Sequence, residues 1–230
     1  THFKYNFLPR TALRLSAGSG WRTANIFVEN ASVFANSRQI VVKENLRPEE
    51  AWNYGVSFTH KFRIFVRDAY FSTDFFRTDF SNKVIVDLED VDKVQFYNLN
   101  GKSYSNAFQV EFGLQPFERF DVKMAYKHYD VKSTYGEKLL EKPMVPKDRA
   151  LLNLAYATYY NIWKFDLTVK WLGETRLPPT DSTAGHHPFP SSAKAYFIFN
   201  AQVTKKFKRF DVYLGGENLA DYFVRHSIIA

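Results

Sequence analysis

Residues 108–126 read FQVEFGLQPFERFDVKMAY, and this stretch decides the fold. Apolar side chains stand at every second position on both sides of the Pro116-Phe117-Glu118-Arg119 segment. Alternation with period two predicts a strand whose two faces meet different environments. Two such runs joined by a tight turn predict an antiparallel hairpin.

The same pattern recurs along the chain, so that strands are predicted near residues 1–7, 11–20, 51–62, 63–80, 92–114, 119–132, 149–160, 162–175, 193–206 and 209–216. Successive pairs of strands are joined by short turns, whereas the alternate connections are long, at 21–50, 81–91, 133–148 and 176–192. Short turns on one rim and long loops on the other are typical of outer-membrane barrels. The sequence therefore predicts an all-β fold, an antiparallel transmembrane β-barrel with long outer loops and short periplasmic turns.

The amino-acid composition excludes several kinds of functional site and of membrane-spanning segment. The chain has 230 residues, of which 18% are aromatic, and it has no cysteine. The absence of cysteine excludes disulfides, thiol catalysis and cysteine-bound zinc. No run of roughly 18 apolar residues is present, so a membrane-spanning helix is excluded. A soluble β-sandwich stays open as an alternative to a barrel, although its connections would not alternate so regularly between short and long.

Four strings carry a resemblance to one family: LRLSAGSGWRTAN at 13–25, LRPEEAWNYG at 46–55, FYNLNGKSYSNAFQVE at 96–111 and YLGGENLADY at 213–222. Together they resemble TonB-dependent outer-membrane receptors, in the order in which that family carries such strings. The last string is the most specific, because it is similar to the family's Gly-x-Glu-Asn-Leu-x-Asp/Asn-Tyr signature. Ala24 stands where the family often has Pro, and Gln109 where Gly is common, which indicates a divergent branch.

The resemblance implies that residues 1–230 form the C-terminal part of the barrel, about ten strands of a 22-stranded one, with the plug domain and the last strand outside this chain. It also implies a Gram-negative outer-membrane receptor, not an enzyme, that imports a scarce nutrient such as a metal chelate (siderophore or haem) or cobalamin. The implied partners are membrane lipid, the nutrient, TonB through the plug domain, and a surface lipoprotein. No cofactor is expected. The alternative is a passive barrel or an adhesin-like binding protein without energy coupling.

Candidate ligand contacts lie in the outer connections. Trp21, Arg22, Tyr222 and Arg225 are placed at the outer mouth. The pair His186-His187 lies in a predicted outer loop, where imidazoles bind metal or haem in other proteins. Adjacent histidines on an irregular loop lack a defined ligand spacing, which favours a solvated loop. We therefore predict no catalytic residue and no metal site.

Three further features have simple structural interpretations. The carboxylates Asp87, Glu89, Asp90 and Asp92 lack the spacing of an EF-hand and are predicted to form a solvated hairpin tip. The net charge of +7 is spread over many strands and turns, so nucleic acid is not expected as a partner. Aromatic side chains at strand ends are predicted to form interfacial girdles, namely Tyr156, Tyr159, Tyr160, Trp163 and Trp171.

Overall fold

A computed structural model describes residues 1–34, 38–64, 66–179 and 190–223. Its strands, in chain order, are β1 (His2–Leu8), β2 (Thr11–Arg22), β3 (Gln39–Val42), β4 (Glu49–Ile64), β5 (Arg67–Asn82), β6 (Val84–Asp87), β7 (Lys93–Asn98), β8 (Ser103–Phe117), β9 (Phe120–Tyr135), β10 (Lys138–Glu141), β11 (Asp148–Ala157), β12 (Trp163–Leu172), β13 (Thr175–Arg176), β14 (Ser192–Ala193), β15 (Tyr196–Lys206) and β16 (Asp211–Gly216). Its helices are α1 (Ile26–Glu29), α2 (Ala31–Phe34) and the 3-10 turn Tyr159–Asn161. No helix in the described part is long and apolar enough to cross a membrane.

Ten strands follow one another in one antiparallel sheet, in the order β1-β2-β4-β5-β8-β9-β11-β12-β15-β16, and the short strand β10 also pairs with β9. We call this sheet the wall. Its short turns all lie at one rim and its long connections at the other, as predicted. The described wall is an open segment of a β-barrel, and its two outermost strands are β1 and β16. The predicted ten-stranded, antiparallel all-β architecture is therefore confirmed.

The wall has two chemically different faces, which the strand register defines. Leu13 lies opposite Phe58, and Val56 lies opposite Phe75, so apolar side chains of neighbouring strands share one face. Many of these large apolar side chains are exposed, including Phe75 at 44%. We call this the outer face, because an exposed apolar band is what a lipid-facing surface requires.

The opposite face of the wall, the inner face, is joined by polar contacts between strands. Asn53 donates a hydrogen bond to Thr78 at 2.8 Å, and Asn153 donates one to Thr168 at 2.9 Å. Tyr70 donates to Glu111 at 2.5 Å, and its ring lies directly over Gly113. These contacts explain the alternation in the sequence, since most polar positions of the wall face the interior and most large apolar positions face outward.

The prediction of one strand over 92–114 is wrong. The chain turns at Gly101, whose φ is +124° and where a Cβ would lie 2.6 Å from Thr134 Oγ1. Glycine alone adopts such a conformation readily. The turn therefore separates β7, which belongs to a different sheet, from β8, which belongs to the wall.

The connections 21–50 and 81–91 are also more ordered than the loops predicted for them. They supply α1, α2, β3 and β6, and together with β7 these elements form a small folded unit that we call the cap. Its sheet has the order β3-β7-β6, in which β3 runs parallel to β7. Sequence patterns of four residues are too short to distinguish such strands from loops.

Candidate functional site

The cap packs on the rim of the wall that carries the long connections. One face of its sheet buries Val84, Val94 and Phe96 against the α2 side chains Val33 and Phe34. The other face joins the ends of wall strands through a second cluster, in which Ile85, Tyr97, Leu99 and Tyr135 are buried and Phe80 and Leu140 pack against them. Phe96 and Val94 have no exposed surface. The cap therefore has a core of its own and is held on the wall by apolar packing.

Polar contacts fix the cap to the ends of β2 and β4. Arg22 Nε donates to Glu49 Oε2 at 2.7 Å, and the other Glu49 oxygen accepts the Val84 backbone N–H at 3.0 Å. Arg22 also pairs with Glu29 of α1 at 2.8 Å. The Asn25 backbone N–H donates to Glu29 and, with Arg22, lowers the pKa of that carboxyl. One guanidinium thus links a helix of the cap to a buried carboxylate of the wall.

Asn98 at the end of β7 holds the connection that precedes β4. Its backbone N–H donates to Glu44 Oε1 at 2.8 Å, and its side chain accepts from the Arg47 N–H and donates to the Asn45 carbonyl. The hydrogen bond from the Asn98 N–H lowers the pKa of the Glu44 carboxyl. These bonds satisfy backbone groups of a segment that has no secondary structure.

A buried tyrosine joins the cap to the β9–β10 hairpin. Tyr97 donates to Asp87 at 2.6 Å and accepts the Gly136 backbone N–H at 3.0 Å. Burial raises the pKa of the Tyr97 phenol well above its ordinary value, and the hydrogen bond to Asp87 adds to this. Nearby, burial lowers the pKa of Lys83 to about 8, and its ammonium lies 4.7 Å from the centre of the Phe80 ring.

The acidic residues of 87–92 do not form the predicted solvated hairpin tip. Asp87 is buried and bound to Tyr97, while Glu89 pairs with Arg176 at 2.5 Å. Asp90 accepts the Asp92 backbone N–H at 3.0 Å. Because Asp87 is buried and Glu89 is paired, this segment is held against other parts of the structure. The alternation of apolar and polar residues alone could not reveal these contacts. The described part of the chain contains no group of three or more His, Cys, Asp or Glu residues arranged to hold a metal ion.

The candidate ligand contacts are only partly described. Trp21 is 77% exposed and lies on the outer face of β2, because it continues the alternation of Leu13 and Leu15. Arg22 points to the inner face and binds the two glutamates named above. Tyr222 stacks on Tyr196 with ring centres 4.2 Å apart. His186, His187 and Arg225 lie outside the described residues, and ligand contact at all six residues stays a prediction.

Sequence reasoning missed a group of charged residues on the inner face. Lys127 of β9 lies opposite Arg149 of β11, and Lys170 of β12 lies opposite Leu151, the next inner-face residue along β11. The Tyr129 ring lies 4.8 Å from Lys127 Nζ and 5.5 Å from Arg149 Cζ. The sequence did indicate that these three cations lie on the polar face, because each occupies a polar position of an alternating strand. Their adjacency, however, depends on the register between strands.

A curved antiparallel wall with an apolar outer face, a polar inner face and folded long connections defines a barrel of the outer-membrane type. The family model for TonB-dependent receptor-like β-barrels matches residues 2–219, and this chain belongs to that family. The family consists of transport receptors rather than enzymes, and its proteins are found in the outer membrane. A search of curated proteins finds no match.

Solved structures share the fold at low sequence identity. The ferric-catecholate import receptor Fiu of Escherichia coli K12 superposes with a TM-score of 0.65 at 16% identity, covering 96% of this chain and 30% of Fiu. The ferric enterobactin receptor PfeA of Pseudomonas aeruginosa gives 0.66 at 15% identity, with 96% and 34% covered. The copper transporter OprC gives 0.70 at 12% identity, with 96% and 33% covered. The chain therefore spans about a third of the length of these structures.

Proposed function

We propose that this chain supplies part of the barrel of an outer-membrane TonB-dependent receptor that actively imports a scarce nutrient such as a metal chelate or cobalamin. The observation that carries the proposal is the pairing of a two-faced wall with a cap built from its long connections. The apolar outer face suits lipid, and the hydrogen bonds between neighbouring strands pair the backbone groups of the wall between its two edge strands, as lipid requires of the backbone. The family match over residues 2–219 supports the same reading.

The cap lies where the proposed receptor first meets its nutrient. In a receptor of this kind the long connections face outward and meet the nutrient first. A cap with its own buried core keeps a fixed shape there, so a bound nutrient loses less of its binding free energy to ordering of loops. The polar inner face then offers hydrogen-bonding groups along the path. In the proposed receptor the plug domain that contacts TonB lies outside this chain, and it couples passage to the proton gradient.

The experiment is uptake by cells that carry the whole native polypeptide. We expect accumulation of a labelled metal chelate or of cobalamin to stop when the gene is deleted, when TonB is deleted, or when a protonophore collapses the proton gradient. A passive barrel or an adhesin-like protein predicts that accumulation or surface binding persists without TonB. Intact-mass measurement on source membranes adds a second check, since a plugged receptor requires a polypeptide several-fold heavier than 26.9 kDa.

A further inference from the structure

Three cations lie side by side on the inner face of the wall. Lys127 and Arg149 are opposite each other across the β9–β11 pair. Lys170 is opposite Leu151, one inner-face position away from Arg149. Arg149 and Lys170 are exposed, and Lys127 is half-buried. Side chains at such opposed and diagonal positions are within about 8 Å of each other at the Cβ atoms.

These cations have no counter-charge in the described ranges. None of the three forms an ion pair there, and their inner-face neighbours Ala125 and Leu151 are neutral. The inner-face carboxylate opposite Ala125, Glu111, is already bound by Tyr70 at 2.5 Å and by Lys123 at 3.1 Å. Three like charges on adjacent strands repel one another, and an anion placed among them relieves that repulsion.

Aromatic rings border the cations on two sides. Tyr129 lies within 4.8 Å of Lys127 Nζ and 5.5 Å of Arg149 Cζ, so one ring faces both charges. Across the sheet, Arg149 lies opposite Leu172, which in turn lies opposite Tyr196. Tyr196 carries the stacked ring of Tyr222 at an interplanar angle of 7°. The inner-face residues opposite one another across these strands thus run from cationic side chains to the stacked rings of Tyr196 and Tyr222. We call Lys127, Arg149, Lys170 and Tyr129 the cationic shelf.

We infer that the cationic shelf binds a multiply charged anion that carries aromatic groups, and that this anion is the transported metal chelate. The inference rests on the proposed uptake function and assigns its substrate to the anionic class rather than to neutral chelates. The cations would meet the charged oxygens, and the tyrosine rings would pack against the aromatic part of the ligand. A surface patch with one sign of charge also raises the local concentration of such an anion.

The test uses the complete polypeptide in detergent and two probes with the same metal. Ferric ion bound by three catecholates carries a net charge of −3, whereas ferric ion bound by three acetohydroxamates is neutral. Equilibrium binding is measured for the wild type and for the triple variant K127Q/R149Q/K170Q. We expect the variant to lose at least about tenfold in affinity for the catecholate complex and to bind the neutral complex as the wild type does.

The control variant K4Q/K61Q/K164Q removes the same charge from inner-face positions of β1, β4 and β12 that are neither opposite nor diagonal to one another. We expect it to change affinity for the anion by less than about threefold, since it acts only through the screened long-range field. Equal losses in both triple variants would overturn the inference, as would unchanged anion binding in K127Q/R149Q/K170Q. A lower unfolding temperature without a change in affinity would also overturn it, because the cations would then pair with acidic groups elsewhere in the polypeptide. TonB-dependent uptake tests the proposed function separately and does not depend on these outcomes.

Discussion

Arg22 and Glu49 meet at 2.7 Å at the point where the wall ends and the cap begins. They are direct partners in the β2–β4 register, and Glu49 is only 8% exposed. The same carboxylate accepts the N–H of Val84, the first residue of β6. A single buried side chain therefore holds two segments that are far apart in sequence, and its removal tests how firmly the cap is attached.

The substitution Glu49→Ala leaves the Val84 N–H and the Arg22 guanidinium without this partner. We expect the cap to lose about 2–3 kcal/mol of stability, because a buried donor loses its acceptor and a charge loses its pair. Glu49→Gln should cost less, since the amide oxygen still accepts from Val84. The measurement is amide hydrogen exchange at Val84 in the complete polypeptide. As a control, Asp68→Ala removes the exposed Arg63–Asp68 pair and should change stability by less than about 0.5 kcal/mol.

The Phe34 ring packs between an exposed aromatic ring and a buried aromatic ring of the cap. Its ring lies 5.0 Å from that of Phe27 and 5.7 Å from that of Phe96, centre to centre. We expect Phe34→Ala to destabilise the cap by about 3 kcal/mol, because it leaves a cavity beside the fully buried Phe96. Phe27→Ala is the matched control, since Phe27 is 67% exposed. Urea-dependent proteolysis of the cap measures both, and equal effects would contradict this packing.

The stability of the cap should rise with pH between about 8 and 10. Burial lowers the pKa of Lys83 to about 8, whereas the unfolded chain keeps the proton up to its ordinary value near 10.5. In this range the unfolded state holds more protons, so the free energy of unfolding increases with pH. The rise should approach about 2 kcal/mol between pH 8 and 9.5.

Pulse proteolysis in urea at a series of pH values measures this rise. Lys83→Met should flatten the pH profile, whereas Lys102→Met, at an exposed turn position, should leave it unchanged. A profile that stays flat from pH 8 to 9.5 in the wild type would show that Lys83 keeps its proton in the folded cap. Above pH 10 the raised pKa of Tyr97 acts in the opposite direction, because the unfolded phenol ionises first.

Gly113 makes room for the Tyr70 ring on the inner face. A Cβ at this position would lie 2.1 Å from Tyr70 Cε1, so Gly113→Ala must displace the ring and weaken its hydrogen bond to Glu111. We expect a loss of about 1–3 kcal/mol in thermal unfolding of the detergent-solubilised polypeptide. Gly18→Ala is the control, because a Cβ there meets no atom within 4 Å. Similar unfolding temperatures for both variants would refute the close approach.

Sequence reasoning succeeded where a periodic signal is long. Strands such as Phe120–Tyr135 alternate over many residues, and that alternation fixes both the strand and its two faces. It failed where a strand has four residues, as in Gln39–Val42, since no period can be read over so short a run. It also failed at Gly101, where one left-handed residue separates two strands that look continuous.

The candidate site was harder to predict because it depends on partners across the sheet. The rim that carries the long connections was predicted correctly, yet Arg22 at that rim is engaged in two ion pairs that no linear pattern indicates. Lys127, Arg149 and Lys170 are 22 and 21 residues apart along the chain, and only the register brings them together. Turns and bulges set the register between strands, and the register decides which residues become neighbours across the sheet. The spacing of residues along the sequence does not by itself give this information.

The parallel pairing of β3 with β7 has a consequence for how the protein assembles. Gln39 pairs with Lys93, and the chain between them contains the whole β4–β5 hairpin. Closing so long a loop is entropically costly while the hairpin is unformed and much less so once the hairpin has brought its ends together. The cap should therefore form after this part of the wall. Until then the apolar strand Gln39–Val42 stays unpaired, and a delay in wall assembly exposes it to proteases and to aggregation.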